Sequence, residues 1–245
     1  MIKELREKSP ITKRQDGQQY NFGVYFNIVA SNLTEAGGYV PQKQIDDQMT
    51  LLNTKYVGTG ISFKLLSVTR VVSRYWHETI DSGFYRPQTD AMYSLFHKGS
   101  STTMNVYSVG FYDAGLNGYS TLPASYKSSP KRDGVVLLYA TLPGGTSKDR
   151  QGGTLVHEAG HWLGLRHTFQ GGCTGAGDGV DDTPPSAEAN FDCPIGLDSC
   201  PGDNFPDPIH NYMDYTDETC RTEFTPGQID LMHKSVATWR SDPSV

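Results

Sequence analysis

Apolar residues alternate with polar or small ones shortly after the chain begins. Val24, Phe26 and Ile28 stand against Gly23, Tyr25 and Asn27, the period of a half-buried strand. In PQKQIDDQMTLLNTKY, Pro41 opens a helix with Ile45, Met49 and Leu52 at helical spacing, and ISFKLLSVTRVV reads as a second strand. A shorter helix is predicted near Ala91 to Phe96, and Met104, Val106 and Val109 predict a strand reaching Phe111. The next segment, GLNGYSTLP, holds a short strand with Gly118 at its start and Pro123 at its close. That suits an edge strand, where no neighbour demands every backbone donor. Val135 to Tyr139 is continuously apolar and predicts a fully buried strand, and helical spacing returns from Gly152 to Leu165. Periodicity then lapses for about fifty residues. Thr225, Pro226 and Gln228 supply an N-cap, a first-turn proline and a reaching side chain for a final helix to about Arg240.

Strands alternating with helices make an α/β beginning, and no internal repeat is visible. Residues 1 to about 18 are polar and aperiodic and read as a loose arm or the remnant of a pro-segment; residues 19–245 read as one domain. Within the arm, Lys13-Arg14 has the form of a processing site and equally of solvated surface.

The composition narrows the partners. With 245 residues, 36% of them hydrophobic, the chain can bury a sizeable core, and its net charge of -6 provides no general attraction to nucleic acid or anionic lipid. No apolar run approaches the roughly 20 residues that span a bilayer, and MIKELREKSP lacks the apolar stretch of a secretory signal, so a soluble chain is expected. All four cysteines, Cys173, Cys193, Cys200 and Cys220, lie in the C-terminal part with no CxxC pair. An even set in a Gly/Pro/Asp-rich segment suggests two disulfides and an oxidising compartment; four unpaired buried thiols are the alternative. The triplet Asn32-Leu33-Thr34 is a glycosylation sequon, consistent with secretion but common by chance.

The decisive chemistry lies in His157-Glu158-Ala159-Gly160-His161-Trp162-Leu163-Gly164-Leu165-Arg166-His167, an HExxH motif extended to HExxHxxGxxH. Residues i and i+4 on a helix share a face, so His157 and His161 can aim two imidazoles at one zinc ion. Glu158 is rotated away from that face and suits a general base acting on a metal-bound water. A helix ending at Gly164, where no Cβ opposes a left-handed turn, lets His167 swing back as the third ligand, with the fourth position open to water and substrate. Any one of these histidines alone would read as an ordinary core or surface imidazole; the joint spacing overturns that reading. Trp162 and Leu163 fall on the opposite face and read as packing. An oxyanion formed at the metal would need a further donor, and Asn211-Tyr212-Met213-Asp214-Tyr215 offers two tyrosine hydroxyls.

HEAGHWLGLRH followed by NYMDY resembles the metzincin clan of zinc peptidases. Within the clan, HTFQGGC, GVDDTP, CP, DSC, NYMDY and FTPGQ look like the pappalysin family, including its secreted fungal and bacterial enzymes. The resemblance runs from about Asn21 to the C-terminus. It implies an upper lobe, to about residue 164, with a twisted mixed five-stranded sheet and the active-site helix, and an irregular lower lobe from about 165 with disulfides and a C-terminal helix. Met213 matches the methionine of the turn beneath the metal, and Tyr215 the tyrosine that stabilises the intermediate or binds the metal when substrate is absent. The family's pairing implies Cys173 with Cys200 and Cys193 with Cys220. Asp178, Asp181, Asp182 and Thr183 resemble a calcium-binding loop, although by residue type alone they read as solvated loop. Gly118, Tyr119, Ser120, Thr121 and Leu122 would take a peptide as an added strand. Asp217 and Glu218 lie where such chains line the pocket for the residue after the scissile bond, and either could attract Arg or Lys.

The expectation is a secreted, monomeric zinc endopeptidase made as an inactive precursor and acting on proteins or peptides. Its rivals are a silent zinc-holding peptide-binding module, which the presence of Glu158 disfavours, and a small-molecule amidase, which the edge strand disfavours.

Overall fold

The computed structural model describes residues 18–81, 87–112, 115–200, 202 and 205–240; Lys13-Arg14 and nearly all of the polar arm lie outside them. The elements in chain order are β1 (Tyr20–Ala30), α1 (Gln42–Lys55), β2 (Ile61–Val72), α2 (Arg74–Thr79), α3 (Pro87–Phe96), β3 (Thr103–Val109), β4 (Gly118–Ser120), β5 (Val135–Leu138), α4 (Gly153–Trp162) and α5 (Pro226–Trp239). The five strands form one sheet in the order β2-β1-β3-β5-β4. Only the β4–β5 pair is antiparallel, and the sheet is therefore mixed.

The sheet is covered on both faces. Phe22, Val24, Phe26 and Ile28 of β1 pack with Ile45, Met49 and Leu52 of α1 and with Leu155, Val156 and Ala159 of α4. On the other face Val29, Tyr107, Val109 and Val136 meet Met92 and Tyr93 of α3. β1 is thus a sheet-interior strand buried on both faces in its second half, and not the half-buried strand expected from its alternation. Parallel pairing explains this, because crossover helices cover both sides. α3 begins at Pro87, earlier than predicted, while the one-turn helix α2 went unpredicted because six residues are too few to show a period. Among the described residues no helix is long and apolar enough to cross a membrane.

Beyond α4 the chain has almost no regular structure until α5. Its order comes from two disulfides, Cys173–Cys200 and Cys193–Cys220, each spanning 27 residues. On the loop-entropy account each stabilises by roughly 3–4 kcal/mol. α5 opens with the expected capping box, in which the Thr225 side chain accepts from the Gln228 backbone and the Gln228 side chain from the Thr225 backbone. Its buried Leu231, Met232 and Val236 close the core from below.

Candidate active site

Helix α4 ends in a Schellman turn: Gly164 N donates to His161 O and Leu165 N to Gly160 O, with Gly164 at φ 108°. A Cβ at Gly164 would also lie 2.4 Å from Ser235 Oγ, so glycine is required there for conformation and for space. The reversal brings His167 back against the helix. Nε2 of His167 lies 3.0 Å from Nε2 of His161 and 3.2 Å from Nε2 of His157.

The tautomers follow from the carbonyls behind the rings. His157 Nδ1 donates to Tyr212 O at 2.8 Å, and His161 Nδ1 donates to Leu165 O at 2.9 Å. Each Nε2 therefore carries a lone pair, and both point at the same place. Burial, helped by its neighbours His161 and His167, holds His157 well below the usual imidazole range; burial likewise lowers His161 and brings His167 down to about 3. Neutral imidazoles facing one another at this distance repel unless a cation lies among them, so the donor set fits a metal ion. Met213, fully buried, sits beneath: a Cβ on Gly160 would come within 2.4 Å of its sulfur. Phe169 stacks on His167 at 4.7 Å, a support that the sequence reading passed over.

Glu158 is buried, and its Oε2 has no hydrogen-bond partner. Burial pushes its carboxyl up to about 8. Tyr215, 38% exposed, reaches in from the open side and donates its hydroxyl to His167 Nε2 at 3.0 Å. Burial, then the charges of Glu158 and Asp214, keep that hydroxyl protonated. Tyr212 faces away, its hydroxyl on Thr222 O and its ring against Phe224.

Glu158, His161, His167 and Tyr215 line a cleft of about 750 Å³ whose upper wall is Gly118, Tyr119, Ser120, Thr121 and Leu122. Within the sheet, β4 pairs only with β5, which leaves its other edge to the cleft. Glu218 is not part of this wall. It sits at the start of α4, its Oε2 accepting from Gln151 N at 2.8 Å and its Oε1 buried without a partner. Asp217 is exposed nearby.

The acidic loop is divided. Asp182 accepts from Thr225 Oγ1 and Gly227 N and so caps α5. Asp178 and Thr183 lie buried beside each other, and burial raises Asp178 to about 6 although the Val180 amide and the Thr183 hydroxyl pull the other way. Asp178, Asp181 and Asp182 do not converge as a three-ligand group among the described residues.

Asp133 is the residue no sequence signal identified. Its carboxylate accepts from Arg240 Nη1 and Nη2, Trp162 Nε1 and Thr121 Oγ1, and the Arg240 guanidinium lies 3.5 Å over the Trp162 ring. The upper wall, the active-site helix and the end of α5 thus meet at one carboxylate.

Three neutral imidazoles around one point, open on one side to a cleft beneath a free strand edge, define a metallopeptidase of the metzincin class. Residues 97–237 match the peptidase family Peptidase_M43, described as Pregnancy-associated plasma protein-A. An extracellular metalloprotease of Pyricularia oryzae is 43% identical over 219 residues, 89% of this chain and 75% of that protein. Another, from Sordaria macrospora, is 41% identical across 100% of this chain and 86% of its own length. Mature mirolysin from Tannerella forsythia, solved in complex with a cleaved peptide, superposes with a TM-score of 0.75 at 25% identity, over 89% of this chain and 91% of its own. The chain belongs to this pappalysin family of peptidases and is an extracellular metalloprotease.

Proposed function

We propose that the protein is a zinc endopeptidase in which Glu158 is the general base, and the observation that carries this is the buried, unpartnered Glu158 Oε2 lining the cleft beside the histidines. His157, His161 and His167 would hold the zinc, which when bound would supply Lewis acidity to the attacking water and the scissile carbonyl. Glu158 takes the proton of the attacking water and delivers it to the leaving amine. Tyr215 donates a hydrogen bond to the developing oxyanion, a role supported by its protonated hydroxyl at the open side. The substrate lies extended along β4, whose free edge offers backbone groups to it. That mirolysin was solved in complex with a cleaved peptide supports a peptide substrate here.

Tyr215→Phe is expected to lower kcat by about 10²-fold while KM and bound metal stay near wild type. Steady-state kinetics with metal quantification checks this; unchanged kcat would remove Tyr215 from the mechanism.

Glu218 favours Arg or Lys after the scissile bond. Its support is the buried Oε1 that lacks a partner, which a cationic side chain would satisfy. Digestion of unfolded casein, with the cut sites read by mass spectrometry, tests both claims. Arg and Lys should be enriched after the cut and lose that enrichment in Glu218→Gln, whereas a flat profile in the wild type excludes the acidic pocket. A metal-loaded protein that leaves casein intact would exclude the endopeptidase reading itself.

A further inference from the structure

The walls of the cleft differ in charge from the rest of the molecule. The chain carries a net charge of -6, yet the lining of the cleft includes Arg166, just past the C-terminal end of α4, together with Arg132, Thr121, Ser125, Ser128 and Ser129. Two carboxylates share this lining. Asp133 is neutralised by Arg240, and Glu158 belongs to the reaction centre. Arg132 is paired with Asp90 at 2.6 Å.

Arg166 differs from these groups. Among the described residues it makes no hydrogen bond, ion pair or ring contact, although it is half-buried. Lone arginines on open surface are ordinary. This one is held by its neighbours on both sides: the Leu165 carbonyl is fixed to His161, and His167 is locked against the other two imidazoles. A guanidinium on such an anchored backbone is presented to whatever enters the cleft, with less ordering cost on binding than a loop side chain carries. Lys127 and Lys131 are exposed in the same chain segment as Ser125 and Arg132 and add positive charge there. At the opposite end of α4, outside the residues that line the cleft, stands Glu218, a charge of opposite sign.

We infer that the Arg166 arm is a subsite for an acidic side chain, Asp or Glu, on the N-terminal side of the scissile bond. The assignment to that side rests on the reading of Glu218 as lining the pocket for the residue after the bond. The guanidinium supplies paired donors to the substrate carboxylate, and the hydroxyls of Ser125 and Ser129 line the same cleft.

The test uses quenched-fluorescent peptides that share a lysine after the bond and differ only in carrying Glu, Gln or Lys at each position before it. The ratio of kcat/KM for Glu over Gln is compared in wild type, Arg166→Gln, Arg166→Glu and Arg166→Lys. A ratio is independent of the active fraction, so a poorly folded variant cannot imitate the effect. In the wild type the ratio is expected to be about fivefold at one of these positions at low ionic strength and to shrink in about 0.5 M salt. It should fall to one in Arg166→Gln, invert in favour of Lys in Arg166→Glu, and be partly retained in Arg166→Lys. A wild-type ratio of one at every position, or a ratio that survives in Arg166→Gln, overturns the inference while leaving the peptidase reading in place. Failure of the metal-loaded wild type to cut any peptide overturns both.

Discussion

Glu158→Gln is expected to keep the bound metal and to lower kcat by about 10³- to 10⁴-fold, because among the described residues it deletes the one carboxylate beside the imidazole cluster that has an oxygen free to take a proton. The amide is nearly isosteric, so the cleft and the three ligands should persist, and metal content separates lost chemistry from lost coordination. Undiminished cleavage would exclude Glu158 as the base. The same substitution carries a second signature in protein stripped of metal by a chelator. Burial raises the Glu158 carboxyl from its ordinary 4.5 to about 8, so between those pH values the folded state holds a proton that the unfolded chain has released. Stability of the metal-free protein therefore falls as pH rises through this window, by on the order of a few kcal/mol in all.

The histidines contribute the opposite slope. Their lowered values mean that folding releases protons below about 6.5, so their share of the stability grows as pH rises to that point and is constant above it. Between about pH 6.5 and 8 the Glu158 contribution consequently stands apart. Thermal unfolding of chelator-treated protein at those two values should show a drop in wild type and a smaller one in Glu158→Gln; equal drops would show that Glu158 is not held protonated by burial.

Arg240→Met is expected to destabilise the folded protein by about 3–5 kcal/mol, lowering Tm by roughly 10 °C. Both partners of the Arg240–Asp133 pair are buried, at 0% and 1% side-chain exposure, and removing the cation leaves a carboxylate with no countercharge in a dry interior. The cost arises from that abandoned charge more than from the worth of the pair. Adding Asp133→Asn to Arg240→Met should accordingly recover part of the loss, since the amide oxygen can still accept from Trp162 Nε1 while the amide NH2 faces the Thr121 hydroxyl, which can accept in turn. A double-mutant cycle by thermal or denaturant unfolding measures the coupling, and additive losses would mean that the pair is not a unit.

These two sites show how differently the sequence reveals its parts. The metal cluster was legible because its ligands are near in sequence: the i, i+4 spacing of His157 and His161 is a property of any helix, and Gly164 announces where that helix turns back. The alternation in β1, the apolar run Val135 to Tyr139 and the Thr225–Gln228 capping box were equally local; the first became a strand, buried on both faces in its second half, the second a strand ending at Leu138, and the third the cap of α5. The cysteine pairing was not legible from spacing and came from family resemblance; the structure joins the same partners.

What only the tertiary structure decided is everything made by residues far apart in the chain. Asp133 and Arg240 are separated by 107 positions, and neither stands in a pattern that marks it; they pair because the loop before β5 meets Trp162 at its indole Nε1 while the end of the last helix lies over the Trp162 ring. Arg166 looks in sequence like a spacer between two ligands, and its lack of a partner can be seen only once every neighbouring carboxylate has been located. Asp182 was read with the acidic loop, yet the arrival of α5 turns it into a helix cap. Local periodicity is written by the backbone's own repeat, whereas the pairing of a distant charge depends on which surfaces the core brings together.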